Sequence, residues 1–323
     1  MPLSGAPWSP TPDQRFVTDL VINDVAAVGG RTESAPPGVA PPRPRRGLAW
    51  VGLLPFLAFL ILFLFIPALS VFRNATNTEA GSFSFSAMKQ AFQGQNLSAF
   101  WFSVRFSAGA ALVGVVFGTL LAYAAATATR PRWLRNLVTA FCGVAANMGG
   151  LPLAFAFLSL IGRQGVGTKV LEFVGWDLYG GDFDLGSVAG LMVVYSYFNI
   201  PLMLLITLPA IDGLKPSWRE ACANLGGTSG TYWRRVGLPV LAPSLLGGFL
   251  LLFANSFAAY ATARILTDNS QIVPLRIAFF LGGDVSIGED AVGYALAAWM
   301  IIIMVVCMSL YWFARKRAER WQS

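Results

Sequence analysis

The sequence predicts an all-α membrane protein with six transmembrane helices, on three observations. Of 323 residues, 55% are apolar and 12% charged, where soluble domains carry roughly a quarter charged residues. Six apolar runs are each long enough to cross a bilayer as a helix, which takes roughly 20 residues. The runs are continuously apolar, without the alternation of a barrel strand. Inside lipid only helices and closed barrels satisfy every backbone group, so the runs are helices.

Residues 1–47 precede the spans. They are rich in Pro, Gly, Ala and Ser, and PPGVAPPRPRR from Pro36 to Arg46 reads as an extended, solvated lead into the first span. Most of this tail is expected to be disordered. Within it, Phe16 to Val28 has the pattern of one amphipathic helix. The first long apolar run starts too far from Met1 to be a signal peptide and is long enough to stay as a span. The spans follow at about 48–72, 101–127, 137–161, 188–211, 241–265 and 291–313. They make one six-span domain over residues 48–317, with a polar loop at 212–240 and a short C-terminal end at 318–323.

Lys and Arg placement sets the orientation, because positive flanks are retained in the cytoplasm. One set of flanks holds Arg43, Arg45 and Arg46, then Arg130, Arg132 and Arg135, then Lys215, Arg219, Arg234 and Arg235, and finally Arg315, Lys316, Arg317 and Arg320. The opposite set mixes fewer cations with nine acidic residues. Both termini and the 212–240 loop are therefore expected on the cytoplasmic side. The net charge of +7 needs no nucleic acid to explain it.

Several chemistries are disfavoured. The chain has no His, which removes the commonest general base and the usual zinc ligand. No catalytic residue, metal site or cofactor is expected. Three Cys residues are too few for a disulfide scaffold: Cys142 and Cys307 fall in spans and Cys222 in a cytoplasmic loop. GRQGVGTK, from Gly162 to Lys169, lacks the Gly-Lys-Ser/Thr of a nucleotide-binding loop. Asn74-Ala-Thr and Asn96-Leu-Ser match glycosylation acceptors, triplets that also arise by chance.

The loop between the fourth and fifth runs is the most specific stretch. Pro216 ends the preceding segment, and Ser217 to Glu220 has the Ser-x-x-Glu form of a capping box, predicting a helix from Ser217. Gly226 and Gly227 permit a turn with positive φ. Thr228 or Ser229 then caps a second short helix carrying Tyr232, Trp233, Arg234 and Arg235, ended before Pro239. An ordinary amphipathic connector at the lipid interface is the plainer alternative.

Within this loop Glu220, Ala221 and Cys222 are followed after three residues by Gly226, then after nine more by Val236, with Leu238 and Pro239 closing the pattern. This spacing resembles the cytoplasmic coupling loop of the permeases of binding-protein-dependent ABC importers of type I. Cys222 and Val236 stand where that family usually has Ala and Ile. The run Leu251 to Ile277 resembles the fifth span and following loop of the polyamine, ferric iron and phosphonate uptake group. The resemblance covers about Leu48 to Arg317. It implies a six-span importer permease in the bacterial inner membrane that forms half of a translocation pathway with a second permease chain. It also implies two cytoplasmic ATP-binding subunits, which supply the ATPase activity, and an external solute-binding protein. Glu220, Ala221 and Cys222 would begin the helix docked on the ATPase. Gly226 would make the turn freeing its end, and Leu238 and Pro239 would set where the chain returns to the bilayer.

Polar residues inside the spans are candidates for the solute path. Tyr195 and Asn199 lie four apart in the fourth span, close to Tyr197 and Pro201; Ser256 and Tyr260 lie four apart in the fifth, with Asn255 adjacent. Interhelical hydrogen bonds without a transport role are the alternative. Asn147, Met148, Gly149, Gly150 and Pro152 mark a point where the third span must break or distort. Gly114 and Gly118 read as a close-packing pair. No acidic residue lies deep in a span, so a cationic solute would rest on aromatic faces and carbonyls. An ion-driven transporter would be expected to show midplane carboxylates or inverted repeats, and a membrane enzyme acid–base groups; the sequence shows none of these.

Overall fold

The computed structural model describes residues 49–77, 83–128, 132–181, 183–267, 271–282 and 290–319. The expected disordered tail, its Phe16–Val28 patch and residues 320–323 lie outside them. The chain divides into two compact units, residues 1–59 and 60–323. The described part of the first is helical, belongs to α1 (Ala49–Leu60) and exposes Leu53, Leu54, Phe56 and Phe59.

Among the described residues of the second unit the regular structure is helical, apart from an isolated antiparallel bridge between Asn77 and Phe83. A π-helical turn, Ile61–Phe65, leads into α2 (Ile66–Thr76), and a short α3 (Ser86–Gln90) precedes the long α4 (Gly94–Thr127). Then come α5 (Arg132–Asn147), α6 (Leu151–Ile161), α7 (Val166–Phe173) and α8 (Val188–Asp212). Next are α9 (Pro216–Asn224), α10 (Ser229–Tyr232), a second π-helical turn (Trp233–Gly237) and α11 (Leu238–Ala258). The last are α12 (Ala261–Leu266), α13 (Val273–Leu281) and α14 (Asp290–Glu319). Among the described residues, five helices are long and apolar enough to cross a membrane: Leu53–Thr76, Gly94–Thr127, Val188–Asp212, Ser229–Ala258 and Asp290–Phe313. A sixth span is available if α5 and the Leu151–Phe173 segment count as one, bent by 108°.

That bend corrects the single run expected at 137–161 and falls where Asn147 to Pro152 placed a distortion. Gly150 has φ +72°, a region that favours glycine, and Pro152 sits in the first turn of α6, where its missing N–H costs nothing. The fifth run, expected over 241–265, is also corrected. Its helix stops at Ala258, Ala259 is extended (φ −72°, ψ 95°), and α12 restarts the helix. No Gly or Pro lies at this break. The Ala259 carbonyl instead accepts a hydrogen bond from the Tyr195 hydroxyl on α8 at 2.9 Å. The two breaks meet, since the Thr262 hydroxyl donates to the Gly150 carbonyl at 3.3 Å and α12 packs on α6.

Helices α4 and α8 form the centre. The buried positions of α4 include Ala99, Ala110, Ala111, Gly114, Gly118 and Ala122, small enough for α8 to lie against its backbone. A Cβ on Gly118 would stand 2.5 Å from Met203 Cβ and 2.7 Å from the Ile200 carbonyl oxygen; one on Gly114 would stand 2.8 Å from Asn199 Cβ. The packing role read for this pair is therefore literal. Around it lie three apolar clusters. One joins Phe100, Leu252, Phe257 and Leu296, a second Phe106, Leu153, Leu191 and Phe198, and a third Ala122, Cys142, Leu208 and Leu241.

Side chains of α4 also hold α13. The Val273 N–H donates to Ser103 Oγ at 2.9 Å, and the Arg276 guanidinium donates to Asn96 and Gln95. Asn96, one of the two glycosylation triplets, is thus buried and engaged. Ahead of α8, Asp184 accepts the Gly186 N–H and pairs with Arg163 at 3.3 Å, which together hold its carboxyl below the usual carboxylate range.

Gly118→Ala should lower stability by about 1–3 kcal/mol through overpacking, read as thermal unfolding in detergent. Gly143→Ala is the control. Its Cβ would meet nothing within 4 Å, so it should be neutral or stabilising by up to about 1 kcal/mol.

Candidate coupling loop and solute path

The loop starts one residue earlier than its capping box suggests. Pro216 occupies the first turn of α9, where its fixed φ and missing N–H suit the position, and Lys215 is the N-cap, with no side-chain cap bond. Ser217 and Glu220 therefore do not form the reciprocal box. The far end follows the sequence closely. Gly226 has φ +77°, its N–H donates to the Ala223 carbonyl at 2.9 Å, and the Gly227 N–H donates to the Cys222 carbonyl at 2.8 Å. This is a Schellman termination, which satisfies two carbonyls that the helix end would leave open. Only Gly226 takes the positive φ; Gly227 is needed for space, since a Cβ there would stand 2.6 Å from Cys222 Sγ.

Thr228 caps the next helix, its side chain accepting from the Thr231 N–H at 3.3 Å. That helix does not stop before Pro239. It runs through the Trp233–Gly237 π turn into α11, as one helix from Ser229 to Ala258. Proline has no N–H to donate, and its ring clashes with the carbonyl four residues back. The wide turn, with the Leu238 N–H bonded to the Trp233 carbonyl, shifts the helix register just before Pro239. The same device precedes Pro67, where the Ile66 N–H bonds to the Ile61 carbonyl.

The surface this builds is open. No residue of α9 is buried; Glu220 and Ala221 are exposed, Cys222 is half-buried against Gly227, and Leu225 at the tip is 89% exposed. Leu238 and Pro239 are exposed where the chain turns into the long helix. The loop is anchored at its base by the Arg135–Asp212 ion pair, which ties α5 to the end of α8. Trp233 stacks edge-on against Tyr123 of α4 at 5.3 Å. Neither anchor was singled out from sequence. Leu225, an apolar residue in a polar loop just before its glycine, was visible there and overlooked.

The candidate path residues separate into two groups. Tyr195, Asn199 and Ser256 are buried at 1%, 0% and 3% exposure, and Asn199 Nδ2 donates to Ser256 Oγ at 2.9 Å, joining α8 to α11. Asn255 and Tyr260 are exposed. Ser256 and Tyr260 do not share a helical face, because the break at Ala259 lies between them. Tyr197 is half-buried against Phe157. Buried and exposed polar groups thus flank the junction of the two broken spans.

No protein-family model matches the chain. Among curated proteins it is 25% identical over 223 residues to the thiamine transport system permease protein ThiP of Salmonella typhimurium, covering 68% of this chain and 40% of that protein. The probable sulfate transport system permease protein cysT of Helicosporidium is 20% identical over 256 residues, 79% and 89% of the two chains. The molybdenum transport system permease protein ModB of Mycobacterium tuberculosis is 26% identical over 181 residues, 54% and 65%. The chain thus spans about two fifths of the thiamine permeases it matches. Its fold matches a crystal structure of a bacterial ABC transporter involved in the import of the acidic polysaccharide alginate, with TM-score 0.61, 19% identity and coverage of 84% and 95%. With several helices suited to crossing a bilayer, relatives that are transport permeases and an importer's fold, this multi-pass membrane chain is a homologue of the permeases of binding-protein-dependent ABC importers.

Proposed function

We propose that this chain is the permease subunit of an ATP-driven importer in a bacterial inner membrane, forming half of the pathway for a small polar solute. One observation carries the reading. Helix α9 is nine residues long, buries none of them within this chain and ends on an exposed Leu225. Isolated helices this short are marginal in water, so a preformed one that presents Glu220, Ala221 and an apolar tip is a docking element. Its base is fixed to the bundle by Trp233 and the Arg135–Asp212 pair, the rigid linkage needed for a partner's motion to reach the spans. The partners are two cytoplasmic ATP-binding subunits, which hydrolyse ATP, a second permease chain and an external binding protein that delivers the solute.

Cys222 belongs to this docking helix, Gly226 ends it, and Leu238 and Pro239 guide the chain into the long helix. The exposed Asn255 and Tyr260 are proposed to face the solute path directly. Tyr195, Asn199 and Ser256, buried behind them, set the shape of the broken fifth span. The cargo group suggested by the fifth span, a polyamine, ferric iron or phosphonate, differs from those in the names of the three relatives described above, thiamine, sulfate and molybdenum. The cargo class proposed is therefore the broader one, a small polar solute.

Gly226→Val forces a β-branched residue into a left-handed backbone and should distort the end of α9 at a cost of about 1–2 kcal/mol. With Glu220→Lys, it should leave the spans inserted but cut uptake per ATP hydrolysed about tenfold or more, a coupling loss of ~1.4 kcal/mol. Vesicle uptake and ATPase assays on the assembled complex measure this, and normal uptake in both variants would refute the coupling role. Tyr260→Ala should change uptake kinetics with assembly intact. A double-mutant cycle on Asn199 and Ser256 should return about 0.6 kcal/mol of coupling in thermal unfolding, the ordinary worth of an interhelical hydrogen bond in a membrane protein.

A further inference from the structure

A cavity of about 340 Å³ lies beneath α9, where the ends of α4 and α8 meet the first turns of the Ser229–Ala258 helix. Tyr123, Tyr232 and Trp233 form its aromatic wall, and Asp212, Lys215 and Arg219 are its charged members. The three rings hold one another edge-on, Trp233 lying 5.3 Å from Tyr123 and 5.7 Å from Tyr232. Asp212 is paired with Arg135, so Lys215 and Arg219 leave the cavity with surplus positive charge. A second cavity, of about 940 Å³, shares the Ala126 wall and is lined by Ala128, Ala140 and Leu208 on one side and by Arg135, Asn136 and Thr139. A basic, aromatic-walled recess at the ends of membrane helices therefore adjoins one with an apolar side.

We infer that the cavity beneath α9 binds the phosphate headgroup of an anionic phospholipid, with Lys215 and Arg219 on the phosphate and an acyl chain along the neighbouring apolar wall. Basic pockets between helices on the cytoplasmic side suit anionic headgroups. Tyr and Trp favour the boundary between headgroup and hydrocarbon. A soluble phosphate would use the cations but leave the apolar wall unused. The assignment does not depend on α9 docking an ATPase.

The test places the full chain in nanodiscs of phosphatidylcholine with a minor share of phosphatidylglycerol, releases it into detergent and weighs it with its lipids still bound. Phosphatidylglycerol should be retained in preference. Lys215→Gln and Arg219→Gln should each reduce that preference about fivefold. Lys215→Arg should keep it, as should Arg234→Gln with Arg235→Gln, which remove cations of the same loop that do not line the cavity. Millimolar inorganic phosphate should not displace the lipid. A preference that survives loss of both cavity cations, or falls equally with Arg234 and Arg235, overturns the site. Displacement by inorganic phosphate overturns the headgroup in favour of a soluble anion.

Discussion

A backbone carbonyl inside a membrane has no water to turn to, and the two breaks in this chain's spans are joined by side-chain hydrogen bonds to such groups. The third and fifth spans both break, at Met148–Gly150 and at Ala259–Tyr260. Each break frees carbonyls that a continuous helix would have used, and an unsatisfied one costs several kcal/mol in hydrocarbon. The Gly150 carbonyl accepts both the Ala154 N–H of α6 and the Thr262 hydroxyl, and Tyr195 takes the carbonyl of Ala259. Together, braced by α8, they form a junction in which each irregular segment is held by a neighbouring element.

That bracing requires α8 to be rigidly placed, which the surface of α4 provides. Gly114 and Gly118 let the α8 backbone sit where a methyl group would collide with Met203, Ile200 or Asn199. Membrane helices gain little from apolar burial against one another and rely on close packing instead. The same contact places Asn199 against Ser256 and Tyr195 against Ala259. Small residues on α4 therefore decide, through α8, where the fifth span bends.

At the other end of α8 the loop converts this rigidity into an external surface. Arg135–Asp212 and Tyr123–Trp233 tie it to two different helices, while α9 buries nothing. A partner pressing on Glu220, Ala221 or Leu225 would push against a loop fixed at its base. The π turn before Pro239 makes the loop's second helix continuous with the fifth span, with no flexible linker between them.

Local chemistry was legible in the sequence. The apolar runs located the spans, because bilayer thickness sets their length. Gly226 and Thr228 announced a termination and a cap, since positive φ and an N-cap oxygen are properties of single residues. Asn147 to Pro152 announced the third-span break, since Gly and Pro act on their own backbone. The tertiary structure decided what depends on neighbours distant in sequence. Ala259 carries no breaker, and the carbonyl at its break is taken by a tyrosine 64 residues away. Ser217 lost the helix start to Pro216, and Pro239 failed to stop a helix that a wide turn carried past it. Which polar residues of the spans are buried and which face outward depended on the same long-range packing, because periodicity places a residue on a face of its helix but does not say what that face meets.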